Sequence, residues 1–149
     1  MKIVIGCDEA GVSYKNELLK LLKSLDEISE VMDIGVNEND KTDYPHIGVA
    51  AAKKVASGEF DRALLICGTG MGMAISANKV KGIRASTAHD SYSIERLILS
   101  NNAQVLALGQ RVIGIELAKR LVREWVEYSF DEKSASASKV EALCSYEES

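Results

Sequence analysis

Short uninterrupted apolar runs alternate along this chain with longer stretches in which apolar residues recur every three or four positions. The run IVI at 3–5, ended by Gly6, reads as a buried strand. Leu18, Leu21, Leu22 and Leu25 then fall on one helical face. A second strand is expected at 30–34, closed by Gly35 and followed by the polar loop NENDKTD. Asp43 and Pro45 are helix-start signals; the helix they open has Ile47, Val49, Ala50 and Val55 as apolar positions and stops at Gly58. The clearest strand is ALLI at 63–66, which runs straight into CGTGMGM and a helix of small residues predicted to about Lys79. A fourth strand is expected at 83–87, a helix capped by Asp90 with Tyr92, Ile94, Leu97 and Ile98, a fifth strand at 105–108 stopped by Gly109, and a last helix at 115–128.

Five strands thus alternate with five helices. Strands that read as continuous apolar runs are those covered on both faces. The pattern predicts an α/β fold: a doubly wound three-layer sandwich around a parallel five-stranded sheet. Ligands in such folds bind beyond the carboxyl ends of the strands. That rule selects four turns, at 6–11, 67–72, 87–90 and 109–111. The segment after Phe130 is small and polar, so 130–149 reads as a tail on one domain spanning 1–149, with Val140, Ala142 and Leu143 able to pack on a partner subunit.

Composition adds exclusions. The 149 residues suit one domain, 46% hydrophobic and 27% charged. A net charge of −4 offers no overall attraction to nucleic acid or an anionic membrane. No apolar run approaches the roughly 18 residues of a membrane span, and the N-terminus has no signal-type apolar region, so a cytoplasmic protein is expected. Cys7, Cys67 and Cys144 are odd in number and lack metal-ligand spacing; His46 and His89 are scattered. No metal site is expected.

The chemistry concentrates in CGTGMGM. Glycine lets the backbone turn tightly and a ligand approach the amides, which suits a phosphate, a carboxylate or a developing oxyanion. The spacing G-x-G-x-G departs from the dinucleotide fingerprint, and no G-K-[ST] follows. A tight strand-to-helix turn that binds nothing is the alternative. Cys67, at the junction of strand and loop, is a candidate nucleophile or base; otherwise it is a small buried hydrophobe. Thr69 adds a hydroxyl that donates and accepts. Asp8 could grip substrate hydroxyls or cap a turn, with Glu9 beside it. Arg111, after the fifth strand, reads as a phosphate fork or a surface ion pair.

The block CGTGMGMAISANKVKGIRA, with GCDEAG (6–11), TDYPH (42–46), HDSYS (89–93) and NNAQVLALGQRVIG (101–114), resembles the type B ribose-5-phosphate isomerases and the related galactose-6-phosphate isomerase subunits. The likeness covers nearly the whole chain and is weakest in the tail. It implies a Rossmann-like fold and interconversion of aldose and ketose phosphates through a cis-enediolate, without a cofactor. Cys67 would move the proton between C1 and C2. The loop Gly68, Thr69, Gly70, Met71 and Gly72 would stabilise the oxyanion, by donors that matter only when charge appears. Asp8, Tyr44 and Asn101 would contact the sugar, and Arg111 the phosphate. A small phosphorylated sugar is the implied ligand. A homodimer or tetramer sharing its sites, with the tail completing the partner's, is the implied assembly.

Three departures bear on substrate. The family often has D-H-A-G where this chain has Asp8, Glu9, Ala10 and Gly11. Relatives acting on ribose 5-phosphate carry a ring-opening histidine where this chain has Ser100. The tail lacks the basic R-H-x-x-R element, and Lys139 is the charge that remains, with Lys133 as a looser substitute. Losing the ring opener suggests a substrate without a ring, and HDSYSIERLILSNNAQ with FDEKSASASKV looks similar to the D-erythrulose-4-phosphate isomerases of erythritol breakdown. The expectation is D-erythrulose 4-phosphate to D-erythrose 4-phosphate. Ribose 5-phosphate, with Glu9 or His89 assisting ring opening, and a non-catalytic sugar-phosphate-binding subunit stay open.

Overall fold

The computed structural model describes residues 1–148. In chain order the elements are β1 (Lys2–Cys7), α1 (Val12–Ser24), β2 (Glu30–Asp33), α2 (Tyr44–Ala56), β3 (Arg62–Cys67), α3 (Met71–Ala77), β4 (Ala85–Thr87), α4 (Ser91–Leu99), β5 (Val105–Gly109), α5 (Ile115–Glu127) and α6 (Ala137–Ser145). The five strands form one sheet in the order β2-β1-β3-β5-β4, and every pairing is parallel. The doubly wound expectation holds.

Alternation along the central strands builds two cores. Ile3, Ile5, Leu64, Ile66, Leu106 and Leu108 meet Leu18 and Leu22 of α1, Ile94 of α4 and Trp125 of α5. Val4, Leu65, Cys67, Val105 and Ala107 meet Ala51 and Ala52 of α2 and Met73 and Ala77 of α3 on the other face. Each fully buried Leu or Ile contributes about 1.5–3 kcal/mol. The edge strands β2 and β4 are covered less, as their mixed sequences suggest.

Two boundaries and the covered face of one helix differ from the sequence pattern. The fourth strand starts at Ala85, not at 83, because the Gln104 side chain occupies the ladder there: its Oε1 accepts the Arg84 N–H at 2.9 Å and its Nε2 donates to the Gly82 carbonyl at 2.7 Å. α3 ends at Ala77, since the Asn78 side chain turns away to bond both the N–H and the carbonyl of Ala85 at 2.8 Å. On α2 the covered face is Gly48, Ala51, Ala52 and Val55; Ala50 points outward and Val49 is half-buried. Gly48 lets α2 approach α3 closely, since a Cβ there would lie 2.9 Å from Ser76 Cβ.

Asp90 caps α4 as expected, accepting the Ser93 N–H at 2.8 Å. Asp43 sits at the start of α2, but its side chain makes no capping bond. The tail folds into α6, which buries none of its own residues and touches this chain through Cys144 Sγ, 3.2 Å from Arg84 Nη1. Among the described residues no helix is long and apolar enough to cross a membrane.

Candidate active site

From the neighbouring strands β1 and β3 the chain leaves in opposite directions. After β1 it enters α1, which packs on one face of the sheet; after β3 it enters α3, on the other. The divergence opens a crevice beyond the carboxyl ends of the two strands. A pocket of about 300 Å³ lies there, lined by Asp8, Ala10, Tyr44, Cys67, Gly68, Thr69, Gly72 and Arg111. It draws on three of the four turns that strand geometry selects, plus the first residue of α2.

The loop after β3 is shaped by what its glycines permit. Gly70 has φ +82°, which favours glycine, and its N–H donates to Cys67 Sγ at 3.0 Å. Cys67 is 5% exposed, so its sulfur reaches the pocket while its stem stays in the core. The Met71 N–H donates to Thr69 Oγ1 at 3.3 Å. The Tyr44 ring lies against bare Gly72, where a Cβ would fall 2.5 Å from ring carbon Cε1. Arg111 is laid over Gly68 in the same manner, its Nη1 3.1 Å from the position of a Cβ. The Gln110 and Arg111 amides donate to the carbonyls of Cys67 and Gly68 at 2.9 and 3.0 Å, tying the turn after β5 to the turn after β3.

Asp8 opens a short 3₁₀ turn, Glu9–Gly11, and its Oδ1 accepts the Ala10 N–H at 2.9 Å. The Ala10 amide engages Oδ1 and not Oδ2, which leaves an acceptor for a substrate hydroxyl. Burial raises the Asp8 pKa above the usual carboxylate value, and Glu9 adds to the rise; the Ala10 amide and Arg111 oppose it. Chemically, the pocket combines a thiol, a hydroxyl, a carboxylate and a guanidinium around glycine backbone. That set suits proton transfer on an anionic polyol.

The remaining sequence-selected residues lie elsewhere, and each placement has a cause. Gly70 and Met71 do not line the pocket: Gly70 is buried and acts through Cys67, and the Met71 side chain is 57% exposed on the outside of α3. Glu9 is exposed and borders a separate polar cavity with Glu17, Lys20 and Glu38. His89 is taken up internally, its Nε2 accepting the Gly109 N–H at 2.9 Å. Ser100, Asn101 and Lys139 meet at a second cavity of about 220 Å³ with Ser136, Val140 and Leu143. α4 starts after β4 at the carboxyl edge and runs back along the sheet, so the residues after its end are carried away from Cys67 within one chain.

Two supports escaped the sequence reading. Gln110 Oε1 accepts the Tyr14 N–H at 3.0 Å, and the Tyr14 hydroxyl donates to the Ile113 carbonyl at 2.7 Å. Together they clamp the Arg111 turn to the start of α1. No local pattern announces a bond across 96 residues. Among the described residues no group of three or more His, Cys, Asp or Glu side chains could hold a metal ion.

Comparison with known proteins gives the site its context. The family described as Ribose/Galactose Isomerase matches residues 3–143. D-erythrulose-4-phosphate isomerase 2 of Mycolicibacterium smegmatis is 61% identical over 148 residues, 99% of this chain and 97% of that protein. Ribose-5-phosphate isomerase B of Escherichia coli is 41% identical over 147 residues, 99% of this chain and 97% of that one. Among solved structures, ribose-5-phosphate isomerase B of Clostridium thermocellum superposes with a TM-score of 0.93 at 41% identity, covering 99% of this chain and 98% of that chain.

Proposed function

This chain belongs to the ribose/galactose isomerase family, and on that premise we propose that it interconverts D-erythrulose 4-phosphate and D-erythrose 4-phosphate. The observation that carries the reading is Cys67 Sγ, held by the Gly70 amide at the mouth of the pocket beside Asp8, Thr69 and Arg111. Cys67, as thiolate, removes a proton from C1 of the ketose. The electron pair moves to form the C1–C2 double bond of a cis-enediolate, and negative charge appears on O2. Donors of the Gly68–Thr69 turn stabilise that charge, most strongly in the transition state. Return of the proton to C2, with transfer of a proton from O1, gives the aldose. Asp8 Oδ2 accepts from a substrate hydroxyl, and Arg111 holds the phosphate.

Ser100 supports the four-carbon substrate. An aldotetrose closes a furanose through O4, which the phosphate occupies, so no ring needs opening. D-erythrulose-4-phosphate isomerase 2 of M. smegmatis, 61% identical, supports this choice. Parallel coupled assays on D-erythrulose 4-phosphate and ribose 5-phosphate test it. Preference for the tetrulose is expected; preference for ribose would retain the isomerase and overturn the substrate.

The division between two cavities supports a shared site. Ser100, Asn101 and Lys139 of a second copy would complete the Cys67 pocket, with Lys139 near the phosphate. Met71 and Ile75, four residues apart on the outer face of α3 and 57% and 62% exposed, offer apolar surface for that copy. Mixing and refolding Cys67→Ala with Asn101→Ala chains checks it. In a symmetric dimer the mixture recovers about a quarter of parental activity, because half of the dimers carry one intact site. No recovery would place both residues in one chain's site.

A further inference from the structure

His89 stands between β4 and α4, and its Nε2 accepts the Gly109 N–H at 2.9 Å. The acceptor has to be the neutral imidazole carrying its proton on Nδ1, since an imidazolium only donates. Gly109 ends β5 and presses against the catalytic loop: a Cβ there would lie 2.8 Å from Thr69 Cα. Gly70 rests on the same strand, the position of a Cβ being 3.0 Å from the Leu108 carbonyl carbon. The next two amides, of Gln110 and Arg111, bond Cys67 and Gly68. The backbone at Gly109 is therefore the surface on which residues 67–70 are seated.

We propose that neutral His89 is a positioning residue for the Cys67 loop: it fixes the end of β5 through Gly109, and its protonation loosens the seat of Thr69 and Gly70. This rests on the reading of that loop as catalytic. His89 is not among the residues lining the pocket, so it acts through Gly109 and not on the sugar. Burial lowers the imidazole pKa from 6.5, against the opposing Asp90 carboxylate. Of the charged groups on neighbouring elements, with Arg111 after β5 and Glu124 on α5 included, Asp90 alone shifts it. The sign follows: the neutral acceptor is in place near pH 7 and is lost as pH falls below the ordinary histidine range.

The test compares kcat against pH, at saturating substrate, for the parent, His89→Gln and His89→Leu. Gln offers an uncharged carbonyl near the position of Nε2, and it does not titrate. Expected are a His89→Gln enzyme close to parental at pH 7.5 and with a shallower fall in kcat on the acid side, keeping only the part that protonation of the Cys67 base itself causes. His89→Leu should lose about tenfold in kcat at pH 7.5, the worth of one hydrogen bond, with KM moved less, and its gap to the parent should close on the acid side, where the parental imidazole no longer accepts. A folded-state readout accompanies it: the NMR shift of the Gly109 amide should titrate with the imidazole in the parent and stay flat in His89→Gln. The proposal is overturned if the acid limb of His89→Gln superimposes on the parental one, if His89→Leu is parental at pH 7.5, or if the Gly109 amide ignores the imidazole. Cys67→Ala separates the premise: turnover surviving in that variant sinks the catalytic reading of the loop while leaving the Gly109 titration unchanged.

Discussion

Cys7 and Cys67 end adjacent strands, and Cys7 stands in register with Ile66, one residue before Cys67. One residue along a strand is the opposite face of the sheet. Cys7 faces the core under α1, α4 and α5, fully buried, with Sγ 3.6 Å from the Val36 carbonyl, to which it donates. Burial pushes its pKa up to about 11, against the pull of buried Lys15, which pairs with Asp33 at 2.8 Å. Cys67 faces the other way, into the pocket, and its sulfur accepts an amide hydrogen. The Cys7 thiol, donating to a carbonyl within the core, keeps its proton. Register and one glycine turn, not residue type, decide which thiol faces the pocket.

Replacing each thiol breaks the comparison most sharply. Cys67→Ala should lower kcat by about 10²–10⁴-fold, the usual worth of a positioned base, with little change in thermal midpoint. Cys7→Ala should keep turnover within a few-fold and lose about 1 kcal/mol of stability to the small cavity it leaves. Steady-state kinetics and thermal melts on both variants suffice. Gly70→Ala comes next. It forces φ +82° on an L residue and places a Cβ 3.0 Å from Thr87 Cγ2 and Leu108. A cost of about 1–3 kcal/mol in stability is expected, and kcat falls with the displaced N–H.

Asp8→Asn separates function from stability. Loss of a charged hydrogen-bond acceptor should cut kcat/KM by about 10–100-fold, corresponding to about 1.5–3 kcal/mol. The fold should be no less stable at pH 7. Asp8 has a folded pKa raised above 3.8, so its contribution to stability is full below that value and is lost as pH rises through the folded one. The Asn variant should therefore melt at or above the parent near neutrality and converge with it below about pH 4. The smallest effect belongs to Tyr14→Phe, which deletes the bond to Ile113. It should cost about 1 kcal/mol and raise KM through the Arg111 turn, leaving kcat nearly unchanged.

The parts of this molecule that are legible in sequence are those set by local pattern. β1, β3 and β5 are continuous apolar runs because helices cover both faces, and the Cys67–Gly72 turn is marked by glycines that the backbone needs. What stayed hidden depends on side chains replacing backbone across the fold. Gln104 shortens β4, Asn78 stops α3, and Tyr14 reaches Ile113 across 99 positions. The site was legible by half. Asp8, Tyr44, Cys67, Thr69 and Arg111 converge in one chain, because strand ends and the entry to α2 share an edge. Ser100, Asn101 and Lys139 fall at another cavity, since the direction of α4 sets where its end lies. His89 has the composition of a substrate ligand but was spent on a backbone amide.

The central claim, that Cys67 carries the proton between C1 and C2, is tested most directly by following that proton. D-erythrulose 4-phosphate deuterated at C1 is incubated with the parent and with Cys67→Ala, and the C1 and C2 positions are read by NMR. The parent should remove the label from C1 and deliver it, or a solvent proton, to C2, and Cys67→Ala should leave C1 untouched on the same timescale. Loss of the C1 label at parental rate in Cys67→Ala would contradict the account.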